Sequence, residues 1–326
     1  MNENPLDSRV LLAHKTKNST RIAHKKAILD AKIDQIVESY FRLDSIGITD
    51  YSDSNPEQSH AVKILEETSR YTGEGWETGL LWKPNVLQFP DGKANALYRL
   101  RLLEKRLDRD ETYAEKYYKE MDHLFEQGFA EKVDSLPKVG RTLYVPHFGV
   151  HKRTNKVRLV FDAAARSGSV SLNNLLLTGP DFLKSLVGIL MRFRQFLFAV
   201  IADIKDMFIR IKIRKEDQDA QRFLWRGKNR TGKPLECRMK VLLFGSKSSP
   251  SSAIFIKNKN AQLFSSRFPV AVRKLIENCY MDDIIDSCEY EQQLLEIMDQ
   301  LKVINAGFEL HSWASNCKSV LLKLGV

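Results

Sequence analysis

The chain has 326 residues and carries 51 Lys and Arg against 41 Asp and Glu, a formal net charge of +10. This length can bury a substantial core in more than one subdomain, and the positive charge suits a polyanionic partner, although basic proteins of many kinds share it. The four cysteines lack zinc-type spacing and fit reduced thiols, and neither a targeting signal nor a membrane span is predicted. We therefore expect an intracellular, most simply cytoplasmic, protein without a membrane partner.

The predicted elements of the N-terminal half are helices, turns and one basic hairpin. Apolar residues recur at helical spacing over residues 21–41, and the polar, turn-forming residues 50–59 predict a linker. The remaining elements are turns and short strands over residues 71–89, a charged helical region over 95–133 that breaks near 109–110, and a hairpin of apolar and basic residues over 142–162.

The C-terminal half is predicted to mix strands and helices, which indicates an α+β fold. Residues 196–202 form an apolar run that is too short for a globular helix and rich in aromatic and branched side chains, so they predict a buried central strand ending at Asp203. Pro250 suits the start of a helix over residues 249–265, because the N–H that it lacks would be unpaired there anyway. The other expected elements are helices over residues 183–194, 216–222 and 289–305 and strands over 223–225, 237–243, 307–311 and 319–322.

The sequence Tyr280-Met281-Asp282-Asp283 is the most informative motif. Short apolar runs flank it, so residues 274–287 predict a strand-turn-strand unit with the acidic pair at its tip. If the strand that ends at Asp203 lies beside this hairpin, three carboxylates converge at one sheet edge, which is costly unless cations neutralise them. Oxygen ligands without a nearby Cys or His favour Mg²⁺ or Mn²⁺, and two such ions can activate a hydroxyl and stabilise a leaving phosphate. Taken alone, the motif would favour an ordinary tight turn.

Other motifs stand around it in a fixed order. They are ADIKDMF (202–208), LLFGSKSSPSSAIF (242–255), YMDD (280–283), GFEL (307–310) and WASN (313–316). In this order the chain resembles the reverse transcriptases, whose palm carries an Asp-x-x-x-x-aromatic motif, a Gly-x-x-x-Ser-Pro motif and a YxDD hairpin. The segments that resemble the Pao/BEL class of LTR retrotransposons are VRLVFDAAARSGSVSLNNLLLTGPD (157–181), QRFLWR (221–226) and FGSKSSP (244–250).

The resemblance implies a right-hand polymerase, with an antiparallel palm sheet that carries helices on one face and with mixed α/β fingers. Residues 1–60 would be a basic N-terminal segment and helical linker, residues 61–181 the fingers-like region, and residues 182–326 the palm, with the thumb largely absent. The implied activity is that of an RNA-directed DNA polymerase, which adds dNTPs to a primer 3′-OH by two-metal nucleotidyl transfer. The alternative is a truncated or decayed retroelement fragment that binds nucleic acid without catalysis.

The resemblance also implies the roles of individual residues at the metal site. Asp203, Asp282 and Asp283 match the catalytic carboxylates and would hold two Mg²⁺ or Mn²⁺ ions, with the backbone carbonyl of Ile204 completing the metal shell. Phe208 matches the steric gate that crowds a ribose 2′-OH, although a Phe in such a place is otherwise ordinary core.

A second group of residues would bind the incoming nucleotide. Arg158 matches the basic residue that lies over the triphosphate, where a planar guanidinium offers a bidentate fit to phosphate, and Lys156 would assist it. Gly245 would let the template or the nucleotide approach the backbone closely, and Phe244 would pack against the sugar.

A third group would contact the primer and template. Tyr280 and Met281 match the primer-end contacts, and Trp313 lies in the primer-grip-like WASN motif. Ser312 stands where the resemblance predicts a Lys that protonates pyrophosphate, and His311 could substitute for it because its pKa lies near neutrality. The partners implied are an RNA or DNA template with its primer, dNTPs, and other polyprotein products such as RNase H, integrase and protease.

Overall fold

The computed structural model describes residues 55–86, 89–151, 156–304 and 308–325. The helices are α1 (Pro56–Thr68), α2 (Lys93–Leu107), α3 (Glu111–Glu126), α4 (Leu172–Leu175), α5 (Leu186–Phe193), α6 (Ser249–Gln262), α7 (Pro269–Glu277), α8 (Glu291–Ile304) and α9 (Lys318–Leu324), and a 3₁₀ turn spans Gln218–Gln221. The strands are β1 (Arg70–Tyr71), β2 (Trp76–Thr78), β3 (Ala130–Lys132), β4 (His147–His151), β5 (Val157–Phe161), β6 (Phe198–Lys205), β7 (Lys212–Ile213), β8 (Arg222–Trp225), β9 (Leu235–Met239), β10 (Cys279–Tyr280), β11 (Asp283–Cys288) and β12 (Glu309–Ser315). This mixture confirms the predicted α+β fold.

The strands of the described residues pair into small sheets. The central sheet has the order β10-β11-β6-β12, and a second sheet has the order β3-β9-β8. Strands β4 and β5 form a separate hairpin, which confirms the hairpin predicted over residues 142–162. These pairs are antiparallel, whereas in the sheet β1-β2-β7 the strands β2 and β7 run parallel.

Strand β6 at the middle of the central sheet has one buried and one more open face. Val200, Ala202 and Ile204 are buried, whereas Ile201 and Asp203, which point to the other face, are at least partly exposed. Side chains alternate between the two faces of a strand, so this burial pattern defines which face meets the core. Helix α8 packs against both β6 and β11. Asp203 therefore lies on the more open face of a strand whose opposite face is anchored in the core.

Helices α2 and α3 place the β4-β5 hairpin. The Asp110 side chain accepts a hydrogen bond of 2.9 Å from the backbone N–H of Tyr113, which caps α3 and explains the predicted break near residues 109–110. Tyr113, Tyr117 and Met121 recur every four residues and are buried, so they form one helical stripe. The Tyr113 hydroxyl donates to the carbonyl of Gly149 at 3.0 Å, and this bond ties α3 to β4.

Four predicted elements are wrong. The charged helical region expected over residues 95–133 ends with α3 at Glu126, and Ala130–Lys132 form β3. The polar linker was expected over residues 50–59, but α1 begins at Pro56, with the Asn55 side chain accepting from the N–H of Glu57. The strand expected from residue 274 is instead the end of α7, and β10 begins only at Cys279. Residues 319–322 were expected to be a strand and lie in α9. Each of the last three errors concerns a short apolar or polar run whose periodicity fits more than one element.

Some predictions fall partly or wholly outside the described residues. The helix predicted over residues 21–41, the middle of the hairpin predicted over residues 142–162 and the start of the strand predicted at residue 307 are among them. Among the helices that are described, none is both long and apolar enough to cross a membrane.

Candidate active site

Three carboxylates converge at one edge of the central sheet. Asp203 lies near the end of β6, Asp282 lies in the turn after β10, and Asp283 is the first residue of β11. Asp203 and Asp283 face each other directly in the antiparallel register of β6 and β11. One oxygen from each of the three carboxylates lies within 4.8 Å of the others. The structure therefore brings together the three acids that the sequence placed 79 residues apart in two motifs.

The backbone of the hairpin turn fixes the position of Asp282. Met281 has a φ of 57°, in the left-handed region that tight hairpin turns require. The carbonyl of Asp282 accepts a hydrogen bond of 2.8 Å from the N–H of Ile204, so the turn is bonded to the residue that follows Asp203. The side chain of Ile204 is buried. Both acidic motifs are thus joined by backbone contacts and not through their side chains alone.

The electrostatics of the cluster favour a cation. Burial raises the pKa of Asp283 above its usual range, and the charges of Asp282 and Asp203 raise it further. Three acids at this separation oppose one another's ionisation, and a divalent cation removes that cost. A donor set of carboxylate oxygens fits Mg²⁺ or Mn²⁺ better than zinc. The three carboxylates therefore form a group that can hold a metal ion.

His311 lies beside this cluster. It pairs with Asp203 in the register of β12 and β6, and its Nδ1 is 3.2 Å from Oδ2 of Asp203. The register shifts between His311 and Ala314, and Ser312, inside this irregularity, has a φ of 53°. Ser312 is exposed, so the position at which the resemblance predicts a Lys carries a small uncharged side chain. The imidazole instead contacts a candidate metal ligand.

A buried polar network anchors the hairpin from behind. Asp286 is buried in β11, and its carboxylate accepts from the Lys274 ammonium at 2.8 Å and from the Asn278 amide at 2.7 Å. The Asn278 side-chain oxygen in turn accepts from Arg192 Nε at 2.5 Å. The sequence analysis did not assign Asn278, although an Asn directly before a short strand is a recognisable turn signal. This network ties helices α5 and α7 to the acidic hairpin.

Three of the predicted nucleotide residues form one contiguous group. Arg158 on β5 lies over the ring of Phe244, with its Cζ 4.7 Å from the ring centroid. The rings of Phe244 and Phe208 meet edge to face with centroids 4.8 Å apart. Lys156 is exposed immediately before β5. The structure thus brings a guanidinium, a half-buried aromatic ring and the predicted gate residue together.

Gly245 has a structural role that the sequence analysis did not identify. Its φ is 110°, and a Cβ built at this position would lie 2.4 Å from the backbone oxygen of Phe161. The carbonyl of Gly245 accepts from the Asn173 side chain at 3.0 Å, and the Asn173 side-chain oxygen accepts from the N–H of Lys247 at 2.9 Å. The group that approaches Gly245 in the structure is therefore the end of strand β5.

The predicted primer and template residues are partly accessible. Tyr280 is half-buried at the end of β10 and faces Asp283 in the register. Met281 and Trp313 are also partly buried and pack against the hydrophobic core. Each therefore has an ordinary packing role, and each still presents some surface next to the cluster or on β12.

Lys257 was missed by the sequence analysis. It lies in α6 and is only 3% exposed, on the stripe formed with Ala253, Ile256, Asn260 and Ala261. This spacing is typical of the buried side of a helix, where a Lys is unusual. The position of Lys257 in this pattern could therefore have predicted a buried charge from the sequence.

A sheet edge with three converging carboxylates defines a candidate metal-dependent site. Residues 165–318 match the family described as reverse transcriptase (RNA-dependent DNA polymerase). The matched part is just under half of the chain and contains Asp203, Asp282 and Asp283. No curated protein matches the chain.

Several solved structures are similar to parts of the chain. A foamy viral protease-reverse transcriptase in complex with an RNA/DNA hybrid is 21% identical, with a TM-score of 0.45 over 60% of this chain and 23% of that one. The same viral protein with double-stranded DNA is 22% identical, with a TM-score of 0.44 over 58% of this chain and 34% of that one. A dRH form with double-stranded DNA is 22% identical, with a TM-score of 0.44 over 57% and 28% of the two chains. The chain thus spans at most about a third of the length of these structures.

Proposed function

We propose that the chain is the catalytic core of an RNA-directed DNA polymerase. The observation that carries this proposal is the convergence of Asp203, Asp282 and Asp283 within the residues that match the reverse transcriptase family. The reaction would be attack of a primer 3′-OH on the α-phosphate of a dNTP, with pyrophosphate as the leaving group. Catalysis of this kind consists mainly of positioning and charge neutralisation, which a rigid set of carboxylates can provide.

The carboxylates would hold two Mg²⁺ or Mn²⁺ ions. When bound, such ions supply activation of the attacking hydroxyl and stabilisation of the leaving oxygen. Asp203 and Asp282 are proposed as the direct ligands, with Asp283 supporting them and the backbone carbonyl of Ile204 as a further donor. The support for this division is positional, because Asp203 and Asp282 are both partly buried whereas Asp283 is more exposed.

The aromatic and basic group would bind the nucleotide. Arg158 would bind the triphosphate with help from Lys156, and the contact of Arg158 with Phe244 holds the guanidinium plane over the ring. Phe208 would exclude a ribose 2′-OH, and its edge-to-face contact with Phe244 supports this role because it limits where the Phe208 ring can move. Gly245 would keep the adjacent backbone close to the nucleotide.

The primer and template would lie along the more open face of the central sheet. Tyr280 and Met281 would contact the primer end from the hairpin, and Trp313 would contact it from β12. The finer class we propose is the Pao/BEL class of LTR retrotransposons, supported by the motifs in residues 157–181, 221–226 and 244–250. In such an element the chain would act with RNase H, integrase and protease products, in the cytoplasm.

Primer extension tests this proposal. The assay uses oligo(dT) annealed to poly(rA), with dTTP and either Mg²⁺ or Mn²⁺. Asp282→Asn should lower the rate by on the order of 10³ or more, because it removes a charge on which the site depends. Asp299→Asn is the matched control, since Asp299 is exposed in α8 and pairs with Lys323 far along the chain from the cluster. Equal extension by both variants would refute the assignment.

The gate is tested separately by the ratio of ribonucleotide to deoxyribonucleotide incorporation. Phe208→Ala should raise this ratio by about tenfold or more, because a removed ring no longer crowds the 2′-OH. The ratio is informative even if the variant extends more slowly overall. An unchanged ratio would assign Phe208 to the core alone.

A second candidate function is binding of primer and template without extension. The contact between His311 and Asp203 favours it, because an imidazole Nδ1 at 3.2 Å from a ligand oxygen occupies space beside that oxygen that a cation would need. Salt-sensitive binding of the primer-template without extension in either metal would support this candidate. His311→Ala would then be expected to restore metal binding if the competition is real.

A further inference from the structure

Lys257 is a charged residue in the core behind the acidic hairpin. It is 3% exposed and shares the buried stripe of α6 with Ile256 and Ala261. Its Nζ donates to the carbonyl of Leu275 at 3.4 Å, and the side chain also forms a hydrogen bond with the thiol of Cys279. An ammonium removed from water without a carboxylate partner is costly. Some other source of negative potential must therefore offset this cost.

The surroundings of Lys257 lead to the acidic cluster. Lys257, Leu275 and Ile204 line one cavity of about 10 Å³, which has room for roughly one water molecule. Ile204 follows Asp203 in β6, and its N–H is bonded to the carbonyl of Asp282. Because neighbouring residues of a strand point to opposite faces, Lys257 lies behind the sheet edge whose other face carries Asp203.

Cys279 interacts electrostatically with Lys257 and with two of the carboxylates. It is buried at the start of the hairpin, and its thiol contacts the carbonyl of Met281 at 3.4 Å. Burial raises the pKa of Cys279; the Lys257 ammonium opposes this by its charge and by a hydrogen bond, and Asp282 and Asp283 reinforce it. The Cys279 thiol therefore interacts both with the Lys257 ammonium and with the carboxylates of Asp282 and Asp283.

We propose that Lys257 is a positioning residue that sets the divalent-cation affinity of Asp203, Asp282 and Asp283 by holding a fixed positive charge behind them. This inference rests on the proposed metal site. A fixed positive charge behind the carboxylates weakens their attraction for a cation, and by reciprocity a bound cation makes the buried ammonium less favourable. The site is thereby tuned so that its ions bind more weakly than three carboxylates alone would bind them.

Lys257→Met tests this directly. Met is unbranched, is a good helix former and fills a similar space, and replacing a buried charge by an apolar side chain is often neutral or stabilising. The variant should bind Mn²⁺ about tenfold more tightly, the order expected when a unit charge one sheet layer away is removed. The effect should persist in about 0.5 M salt, because a buried charge is poorly screened.

Lys259→Met is the matched control. Lys259 lies two residues further along the same helix, and its Nζ also donates to a backbone carbonyl, that of Ser69, at 3.2 Å. The change of side chain is the same, but Ser69 precedes β1 and is not part of the acidic hairpin. Its Mn²⁺ affinity should therefore stay within about twofold of the unmodified chain.

The measurement is Mn²⁺ binding to the full chain, read from the electron paramagnetic resonance of free Mn²⁺, with Asp282→Asn to identify the site-specific portion. Thermal unfolding of each metal-free variant is recorded in parallel, because a purely structural Lys257 would change stability and leave Mn²⁺ affinity unchanged. Tighter Asp282-dependent binding in Lys257→Met alone supports the inference. Equal affinities in Lys257→Met and Lys259→Met would overturn it while leaving the proposed function intact. Absence of Asp282-dependent binding in the unmodified chain would overturn both.

Discussion

Gly245→Ala is expected to destabilise the chain by about 2–6 kcal/mol. The φ of 110° lies outside the left-handed helical well, so an alanine there costs about 1–3 kcal/mol of backbone strain. The new Cβ would also lie 2.4 Å from the carbonyl oxygen of Phe161, and this is a backbone atom that cannot rotate away. Relieving such a contact adds about 1–3 kcal/mol. The N–H of Phe161 donates to the carbonyl of Phe244 at 3.3 Å, so the shift would disturb the nucleotide group as well.

Gly227→Ala separates the two contributions. Gly227 has a φ of 66°, and a Cβ there would have no atom within 4 Å, so the substitution adds backbone strain without a clash. It should cost only about 1 kcal/mol. Urea unfolding of the two variants and the unmodified chain compares their free energies of unfolding. The dependence of this free energy on urea concentration should be the same in all three proteins. If both variants lose the same stability, the close approach of Phe161 does not matter and the reasoning fails.

Two further predictions concern buried titratable groups. Lys274→Met leaves the Asp286 carboxylate buried without its 2.7 Å ion pair and should lower the free energy of unfolding by about 3–5 kcal/mol. The control Lys323→Met removes an exposed ion pair with Asp299 and should lower it by under about 1 kcal/mol. Similar losses in the two variants, measured by urea unfolding, would contradict this prediction. Burial lowers the pKa of His147 from 6.5 to about 4. Between these pH values His147 binds a proton in the unfolded chain but not in the folded chain, so the free energy of unfolding should fall by about 3 kcal/mol as the pH drops from 6.5 to 4. Urea unfolding across this pH range should show this loss of stability in the unmodified chain and not in His147→Gln. If the free energy of unfolding depends on pH in the same way in both proteins, the pKa of His147 is not lowered by burial.

The acidic site was predictable because its residues lie in local patterns. The apolar run before Asp203 and the runs around the acidic pair each indicated strands, and the three acids were expected to converge if these strands lie side by side. The structure confirms this through the direct pairing of Asp203 with Asp283. Pro250 likewise marked the start of α6 correctly.

The errors arose where one short run fits two elements. Asn55 and Pro56 were interpreted as breakers, but an Asn followed by Pro is also a capped helix start, and the Asn55 side chain does cap α1. Residues 274–277 were interpreted as part of a strand because the residues before them were not considered together with them. Ala271, Val272 and Leu275 show helical spacing and are buried in α7. In α9, Val320 is buried, and the apolar run alone does not separate helix from strand.

Tertiary contacts between distant segments could not be predicted from these patterns. The approach of Phe161 to Gly245, the contact of His311 with Asp203 and the burial of Lys257 each depend on how separate elements pack. Only the burial of Lys257 left a trace in the sequence, as a polar residue on an apolar helical stripe.

The hydrophobic core determines the geometry of the carboxylates through strand register. Val200, Ala202 and Ile204 must face the core, and this requirement places Asp203 on the opposite face. A slip of one residue between β6 and β11 would turn every side chain of one strand to the wrong face and would separate Asp203 from Asp283. The same buried face carries Ile204, which lines the cavity shared with Lys257. The layer that sets the register is therefore also the layer against which Lys257 is buried.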